Sequence, residues 1–445
     1  MSIINTRALL KLAEEARASS YSPYSGITNI MHQGHLSGGI VMSIFARYKG
    51  VFVKAAILST ALLLYCSQFA SCSISGASSP DESAAPIRAE QVLSDSVLPS
   101  VSAKSAVLID GNSGELLCSK NPDERLPMAS TTKIMTALVA IEEGDLAEEV
   151  TIPREAVGVE GSSIYLYEGE RLTLEQLLYA VLLESANDAA TAVAIHVGGS
   201  IEGFSTLMNQ KAAELGLENT HFDNPHGLDS EQHYTTAREL AIIAAEAIKN
   251  PKLREIASTQ KKTIPLNGTE GVRLLINHNR LLKSYDGAIG IKTGYTKKSG
   301  RCLVSAAERD GLTLICVTLS APDDWRDHTS LLNYGFSNYE SRVLCAEGEM
   351  RRILPVVGGE SDHITLTNAS EIRVTMPKGT SSVECQIEAR GFEYAPVCEG
   401  DVMGRAIFTL DGKEIASTPL VASYSVNKIK NKNSLWEIIT SPFTK

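Results

Sequence analysis

The hydrophobic pattern of this 445-residue chain changes from strand-like to helical and back again. Two short apolar runs joined through Gly111–Gly114 predict a hairpin, since Gly and Asn between such runs favour a tight connection. Apolar residues then recur at helical spacing, and strand-like runs return around Lys292–Ser305 and Leu312–Leu319. The predicted helices cover Ser130–Glu143, Leu174–Val197, Gly203–Leu215, Thr236–Lys249 and Asp327–Tyr339. A hairpin, then helices, then strands is an α+β order, which predicts an antiparallel sheet packed with helices.

Residues 350–422 carry a different pattern and predict a second, smaller domain of the β-sandwich type. Apolar runs there are short and separated by turn-forming residues, which is typical of an all-β unit. Asp411-Gly412 lies between the last two runs and predicts a two-residue hairpin turn. Because no motif with candidate chemistry falls inside this region, we expect it not to be catalytic.

Export is predicted by the segment 51–77. The apolar run Ala55–Tyr65 follows Arg47, Lys49 and Lys54, and it is shorter than the roughly twenty residues that span a bilayer. This arrangement predicts a signal peptide cleaved after Ala77. Lipidation at Cys72 and retention of the segment as an anchor are the alternatives. Residues 78–102 are rich in Ser, Ala and Pro and predict a linker.

Residues 1–50 precede the export signal. Leu9–Ala18 and Tyr21–Ser25 are similar to the opening of a cytidine deaminase. The H-x-E and P-C-x-x-C motifs of that zinc chemistry do not follow, so no deaminase activity is implied. A start of translation at Met31 or Met42 is the simpler explanation of this leader.

Charge and cysteine content exclude several classes of function. The net charge of −11 leaves no basic stripe for phosphates, so we expect no nucleic-acid partner.

The cysteines beyond the export signal are scattered among apolar neighbours, which is typical of buried thiols. Cys385 and Cys398 are the one local pair to consider as a disulfide. His226 and His233 lack a third ligand at metal spacing, so we expect no metal and no cofactor, and we expect positioning and packing roles for these two residues.

Three short motifs carry the candidate chemistry: Ser130-Thr131-Thr132-Lys133, Ser185-Ala186-Asn187 and Lys292-Thr293-Gly294. In the first, a hydroxyl and an amine stand three residues apart at a predicted helix start and therefore share one helical face. A serine needs an adjacent proton acceptor, and a lysine can serve once burial and a neighbouring cation lower its pKa. Lys292 is the candidate cation.

Two further S-x-x-K matches test the specificity of the first motif. They are Ser258/Lys261 and Ser425/Lys428. Only Ser130 opens an apolar helical run, Ile134–Ile141, which would carry Lys133 inward against a core. The predicted nucleophile is therefore Ser130.

From about Ala103 to Val421 the chain resembles the D-alanyl-D-alanine carboxypeptidases among the low-molecular-weight penicillin-binding proteins. Beyond the three motifs, Gly161-Ser162-Ser163 and His226-Gly227-Leu228 are similar to that family. The resemblance implies a β-lactamase/transpeptidase-like domain over residues 103–345, in which an all-helical lobe is inserted between the first and last strands. A small β-sandwich over residues 350–422 would follow.

The resemblance also implies roles for the first two motifs. Ser130 would attack the carbonyl of the penultimate D-alanine, and Lys133 would take its proton. Ser185 would relay a proton to the departing D-alanine. Asn187 would orient Lys133 and the substrate amide.

The third motif and its neighbours would bind the substrate. Lys292 and Thr293 would hold the terminal carboxylate, and Gly294 would let the substrate backbone lie against its strand. The backbone N–H groups of Tyr295 and Ser130 would form the oxyanion hole. Arg326 would add a second cation for the carboxylate.

The implied activity is removal of the terminal D-alanine from peptidoglycan pentapeptide, in cell-wall biogenesis, with β-lactams as inhibitors. A class A-like β-lactamase is one alternative, but it would need a deacylating glutamate in an E-x-x-L-N context. Glu214 and Glu218 lie between the second and third motifs without that context. A catalytically weak wall-binding relative is the other alternative, and it is disfavoured because every motif residue is intact.

Residues 427–445 form the predicted tail. Its lysines are Lys428, Lys430 and Lys432, and its apolar positions are Leu435, Trp436, Ile438 and Ile439. At helical spacing these residues predict an amphipathic segment that lies on the outer face of the cytoplasmic membrane, similar to the C-terminal segments of many of these carboxypeptidases. A disordered end is the alternative, because the segment is short and contains Pro442.

Overall fold

The computed structural model describes residues 99–266 and 270–429. The leader, the signal peptide, most of the linker and the tail from residue 430 lie outside the described residues. The helices are α1 (Lys133–Glu143), α2 (Leu174–Tyr179), α3 (Asn187–Gly198), α4 (Ile201–Glu214), α5 (Ala237–Lys249), α6 (Pro251–Ser258), α7 (Leu281–Ser284) and α8 (Asp324–Asn338). In the first domain, the strands are β1 (Ser105–Asp110), β2 (Leu116–Lys120), β3 (Glu149–Thr151), β4 (Arg171–Thr173), β5 (Lys261–Pro265), β6 (Val272–Ile276), β7 (Ala288–Thr296), β8 (Gly300–Arg309) and β9 (Leu312–Leu319).

A five-stranded antiparallel sheet with strand order β2-β1-β9-β8-β7 organises the catalytic region. Every residue of β9 is buried, because helices cover both faces of this sheet. Val107 and Ile315 pack with the helices α1 to α6 on one face, and Leu108 and Leu314 pack with α8 on the other. The predicted α+β class and helix-packed antiparallel sheet are confirmed.

The predicted helix Leu174–Val197 is interrupted in the structure. Helix α2 starts at a capping box between Thr173 and Gln176, continues through a π-helical turn at Ala180–Glu184, and stops at Ser185. Ser185 has φ 60°, a left-handed conformation that a helix cannot continue. The chain restarts as α3 at Asn187. The prediction of one continuous helix was wrong, and the interruption lies inside the second motif.

The second domain contains β10 (Tyr339–Cys345), β11 (Arg352–Val357), β12 (His363–Asn368), β13 (Ile372–Pro377), β14 (Glu384–Ala389), β15 (Glu393–Tyr394), β16 (Val402–Leu410) and β17 (Lys413–Ala422). Six strands form one sheet in the order β14-β16-β17-β12-β11-β15, and β10 pairs with β13. The sequence-based boundary had assigned β10 to the preceding domain. Leu410 pairs with Lys413 across Asp411-Gly412, so the predicted hairpin turn is confirmed.

Side-chain contacts join this domain to the catalytic region. The hydroxyl of Thr375 donates to Asp110, and Nζ of Lys378 donates to the carbonyl of Phe336 at 2.7 Å.

Cys385 and Cys398 are exposed free thiols, so the disulfide considered from sequence is not formed. Within the described ranges, no helix has the length and apolar character needed to cross a bilayer.

Candidate active site

Ser130 and Lys133 meet at the point where a 3₁₀ turn passes into helix α1. The turn covers Ala129–Thr132, and Lys133 is the first residue of α1. Nζ of Lys133 lies 3.1 Å from Oγ of Ser130, which is hydrogen-bond distance. The predicted nucleophile and its predicted base are therefore in contact.

The surroundings of Lys133 favour a neutral amine. Its side chain is fully buried, and burial together with the nearby Lys292 lowers its pKa well below the ordinary value, while Asp188 opposes the shift. Nζ donates to Oδ1 of Asn187 and to the carbonyl of His226, each at 2.6 Å. A neutral amine has two N–H donors, so these two oxygens use both. Its lone pair is then left for the hydroxyl proton of Ser130.

Buried hydrogen bonds join the second motif to the loop 160–166. Nδ2 of Asn187 donates to the carbonyl of Glu160, so the amide oxygen is turned toward Lys133. The buried carboxylate of Asp188 accepts from the hydroxyl of Ser163 and the N–H of Leu166. These bonds fasten the loop 160–166 to the start of α3. Sequence reasoning did not single out Asp188, although it is part of the Ser-Ala-Asn-Asp run.

The third motif lies on β7 beside the nucleophile turn. Lys292 is buried, its Nζ donates to the carbonyl of Thr293 at 2.8 Å, and burial lowers its pKa to about 7. A Cβ on Gly294 would lie 3.1 Å from the backbone nitrogens of both Ser130 and Thr131. The close approach that favours a small residue here is thus made by the protein's own backbone, a reason that the sequence argument had not considered.

Tyr295 and Arg326 lie near the turn that joins β7 to β8. Tyr295 is exposed and pairs with Arg301, which binds Asp324 in the first turn of α8 at 2.8 Å. Arg326 follows two residues later, and its side chain is 81% exposed, with Asp323 at 3.8 Å. The structure therefore does not join Arg326 to the buried cluster that contains Lys133.

His233 supports the nucleophile turn in a way that sequence reasoning did not specify. The N–H of Asp223 donates to Nδ1 of His233 at 3.1 Å, so Nδ1 carries no proton and Nε2 does. Nε2 then donates to Oγ1 of Thr132 at 2.7 Å, and Thr132 donates to the carbonyl of Ala129 at 2.8 Å. Burial lowers the pKa of His233 to about 4, which keeps the ring neutral.

Gly227 brings the His226-Gly227-Leu228 segment against the same turn. Its φ is +87°, and a Cβ there would lie 1.9 Å from the carbonyl oxygen of Ala129. No side chain fits in that space, so a glycine is required for the carbonyl of His226 to reach Lys133. Burial, with Lys133 nearby, lowers the pKa of the His226 ring to about 3. His226 contacts the site through its backbone carbonyl oxygen, which accepts from Lys133.

A serine in contact with a buried lysine, a second buried lysine on a neighbouring strand and an α+β scaffold define a serine-type acyl-transfer enzyme. Comparison with known families agrees. The family model described as D-alanyl-D-alanine carboxypeptidase matches residues 91–323. The model described as penicillin-binding protein 5, C-terminal domain, matches residues 339–428.

Individual relatives give the same result. D-alanyl-D-alanine carboxypeptidase DacF of Bacillus subtilis is 35% identical over 336 residues, which are 73% of this chain and 86% of the relative. DacA of Escherichia coli is 34% identical over 343 residues, 73% of this chain and 83% of the relative. The solved structure of penicillin binding protein 5 from Haemophilus influenzae has a TM-score of 0.65 at 31% identity, covering 75% of this chain and 100% of that one. The chain belongs to the D-alanyl-D-alanine carboxypeptidase family of serine peptidases.

Proposed function

We propose that this protein removes the C-terminal D-alanine from peptidoglycan pentapeptide through an acyl-enzyme on Ser130. The observation that carries the proposal is the contact between Ser130 and Lys133, in which two carbonyl oxygens use both N–H donors of a neutral lysine. The lone pair of that amine faces the hydroxyl that has to lose its proton.

In the first half-reaction, Oγ of Ser130 attacks the carbonyl carbon of the penultimate D-alanine and Lys133 takes the hydroxyl proton. The N–H groups of Ser130 and Tyr295 stabilise the oxyanion that forms. The C–N bond then breaks as Ser185 gives its hydroxyl proton to the amine of the departing D-alanine, and Lys133 returns the proton it took to Ser185 and is neutral again. In the second half-reaction Lys133 takes a proton from the water that attacks the ester carbonyl, the ester C–O bond breaks, and the proton returns to Oγ of Ser130.

Substrate selection rests on the free carboxylate at the end of the pentapeptide. Lys292 and Thr293 bind it, and Arg326 approaches it from the first turn of α8. Lys292 has a second role, because its charge favours a neutral Lys133. β-Lactams present an equivalent carboxylate and a strained amide to the same groups and acylate Ser130.

The substrate lies outside the cytoplasm, so the proposal includes export. The segment 51–77 supplies the signal peptide, and the tail 427–445 lies on the outer face of the cytoplasmic membrane. Its lysines and its aromatic-aliphatic positions support this placement, because both features favour interfacial binding to anionic lipid.

Incubation of the chain from Ser78 onward with a pentapeptide ending in D-Ala-D-Ala, and separately with a chromogenic cephalosporin, tests the activity. We expect continuous release of D-alanine and only about one equivalent of cephalosporin opened per protein before turnover stops. Rapid continuous opening of the cephalosporin without release of D-alanine would identify a β-lactamase instead. Inactivity toward both would favour a wall-binding role.

A further inference from the structure

The outer face of strand β11 is apolar where a solvated sheet face is usually polar. Leu354 and Val356 point into the sandwich core, whereas Ile353 is 65% exposed and Val357 49% exposed on the opposite face. Pro355, between the two on that outer face, is exposed as well. The outer face of this strand is therefore a row of exposed aliphatic side chains that no other part of the described chain covers.

Strand β15 extends the same face with aromatic rings. It runs parallel to β11, and Tyr394 pairs with Val357, so both side chains lie on the outer face. Tyr394 is 63% exposed, and its ring packs edge-on against that of Phe392, with 5.4 Å between centroids. We call Ile353, Val357, Phe392, Tyr394 and Ile429 the apolar edge.

The chain leaves the described fold at this edge. The N–H of Ile429 donates to the carbonyl of Gly358 at 3.0 Å, and Lys428 forms a bridge with Gly359. Ile429 itself is more than half exposed. The last described residue of the chain, Ile429, is therefore next to Gly358, the residue that follows β11.

Charges around the edge fit an anionic surface. Arg352 and Lys428 are exposed beside it, and Lys430 and Lys432 come next in the chain. Of two neighbouring carboxylates, Glu393 is ion-paired with Arg390 at 2.7 Å, and Glu360 accepts from the neutral amide of Asn427 at 3.2 Å. Aromatic and aliphatic side chains with basic residues at their border are what the interfacial zone of a bilayer binds.

We propose that the apolar edge of the sandwich is a second membrane-contact surface, which lies with the tail on an anionic lipid bilayer. The proposal rests on the membrane contact proposed for the tail and goes further, because it assigns a contact to the folded domain itself. A tail alone tethers the protein, whereas two joined contacts also fix the orientation of the domain. The sandwich would then hold the catalytic region at a set angle to the membrane.

Vesicle binding tests this surface with four versions of the chain from Ser78 onward. They are the unchanged chain, the edge variant Ile353→Ser/Tyr394→Ser, the control Val272→Ser/Leu274→Ser, and a chain ending at Ile429. Val272 and Leu274 are exposed by 64% and 56% on β6, so the control removes comparable apolar surface far from the tail exit in sequence. Partition is measured into phosphatidylglycerol–phosphatidylcholine vesicles, and D-alanine release is measured on a soluble pentapeptide.

We expect the edge variant to partition about 10- to 100-fold more weakly than the unchanged chain, because two apolar side chains no longer enter the interface. The control should partition like the unchanged chain, and all four proteins should release D-alanine equally. Equal partition of the edge variant and the unchanged chain would overturn the proposal. Loss of D-alanine release in all four, with the partition pattern kept, would contradict the proposed activity and leave the surface intact.

Two other occupants of the edge predict different results without vesicles. If the tail covers the edge, ending the chain at Ile429 speeds amide exchange in β11 and around Tyr394. If a second copy covers it, light scattering gives a dimer mass that the edge variant loses. Either result would overturn the proposal, which predicts unchanged exchange in those strands and a monomer for every version.

Discussion

The two domains differ in whether they bury charged side chains. The catalytic region buries Lys133, Lys292 and Asp188 almost completely, whereas the only buried polar residues in the described part of the sandwich are the uncharged Asn368 and Thr418. Burying an ionisable group is unfavourable unless partners or a pKa shift compensate for it. No charged side chain is buried in the described part of the sandwich, whereas the catalytic region buries ionisable groups at its candidate active site.

The two buried lysines show that compensation takes different forms. Lys133 has three oxygen atoms within hydrogen-bond distance, and Lys292 has the carbonyl of Thr293 and a pKa lowered to about 7. The first arrangement fixes the amine that we propose as the base, and the second leaves N–H donors for the proposed contact with the substrate carboxylate. Lys413 of the sandwich is only partly buried, so comparing its substitution with that of Lys133 separates a structural effect from an effect on the chemistry.

The largest contrast is expected between Lys133→Ala and Lys413→Ala. The first removes the base beside Ser130 and should slow acylation by a fluorescent penicillin by about 10²–10⁴-fold, which is the usual contribution of a positioned base. The second removes a lysine at the start of β17 and should leave the rate unchanged. Stopped-flow or gel-based labelling gives both rates. Similar rates for Lys133→Ala and the wild type would remove the lysine from the mechanism.

A smaller effect is expected at Thr293. If this residue binds the substrate carboxylate, the wild type should prefer a pentapeptide acid over its C-terminal amide, and Thr293→Val should lose about 10- to 100-fold of that preference. The range corresponds to a hydrogen bond to a charged group, about 1.5–3 kcal/mol. The ratio of kcat/KM for the two peptides is the measurement. A variant equally slowed on both peptides would show that the threonine only shapes β7.

The pH dependence of acylation should shift in opposite directions when the charges around Lys133 are changed. Acylation needs neutral Lys133, so its rate falls as pH drops through the pKa of that residue. Asp188 raises this pKa and Lys292 lowers it. Asp188→Asn should therefore move the acid limb to lower pH, and Lys292→Gln should move it to higher pH. Profiles of kcat/KM from pH 5 to 9 test this, and shifts in the same direction would contradict the assignment.

The smallest expected effect is one of stability. His328 lies buried between Ser305 and Thr318, and burial lowers its pKa to about 3, whereas an unfolded histidine titrates near pH 6.5. The unfolded state therefore binds an extra proton between these values, so the free energy of unfolding falls as pH drops below about 6.5.

Urea unfolding at several pH values checks this expectation. His328→Gln should reduce the pH slope by up to about one proton, because the buried imidazole is removed. An unaltered slope in His328→Gln would mean that other groups govern the acid sensitivity.

The sequence predicted the parts of the site that depend on local spacing. Ser130 and Lys133 are separated by one turn, and Lys292 and Thr293 are consecutive on a strand, so periodicity alone was informative. The left-handed Ser185, the buried Asp188 and the Thr132–His233 contact depend on residues far apart in the chain. Hydrophobic periodicity carries no signal for such contacts, and it extended the helix from Leu174 to Val197 without a break.

The same limit applies to the fold. The order of helices and strands predicted an antiparallel sheet, yet it gave no indication that β10 leaves the catalytic region to pair with β13. The reason for Gly294 was also inaccessible, because the close approach joins a strand to a turn more than 160 residues earlier in the chain. Arg326 was predicted from the family resemblance alone, and its side chain is exposed beside Asp323.

Identification of the acylated residue tests the mechanism most directly. The chain from Ser78 onward is treated with a penicillin, digested and examined by tandem mass spectrometry. We expect a single penicilloyl adduct on Ser130 and none in Ser130→Ala. An adduct on Ser185, Ser258 or Ser425, or one that persists in Ser130→Ala, would contradict the assignment of Ser130 as the nucleophile.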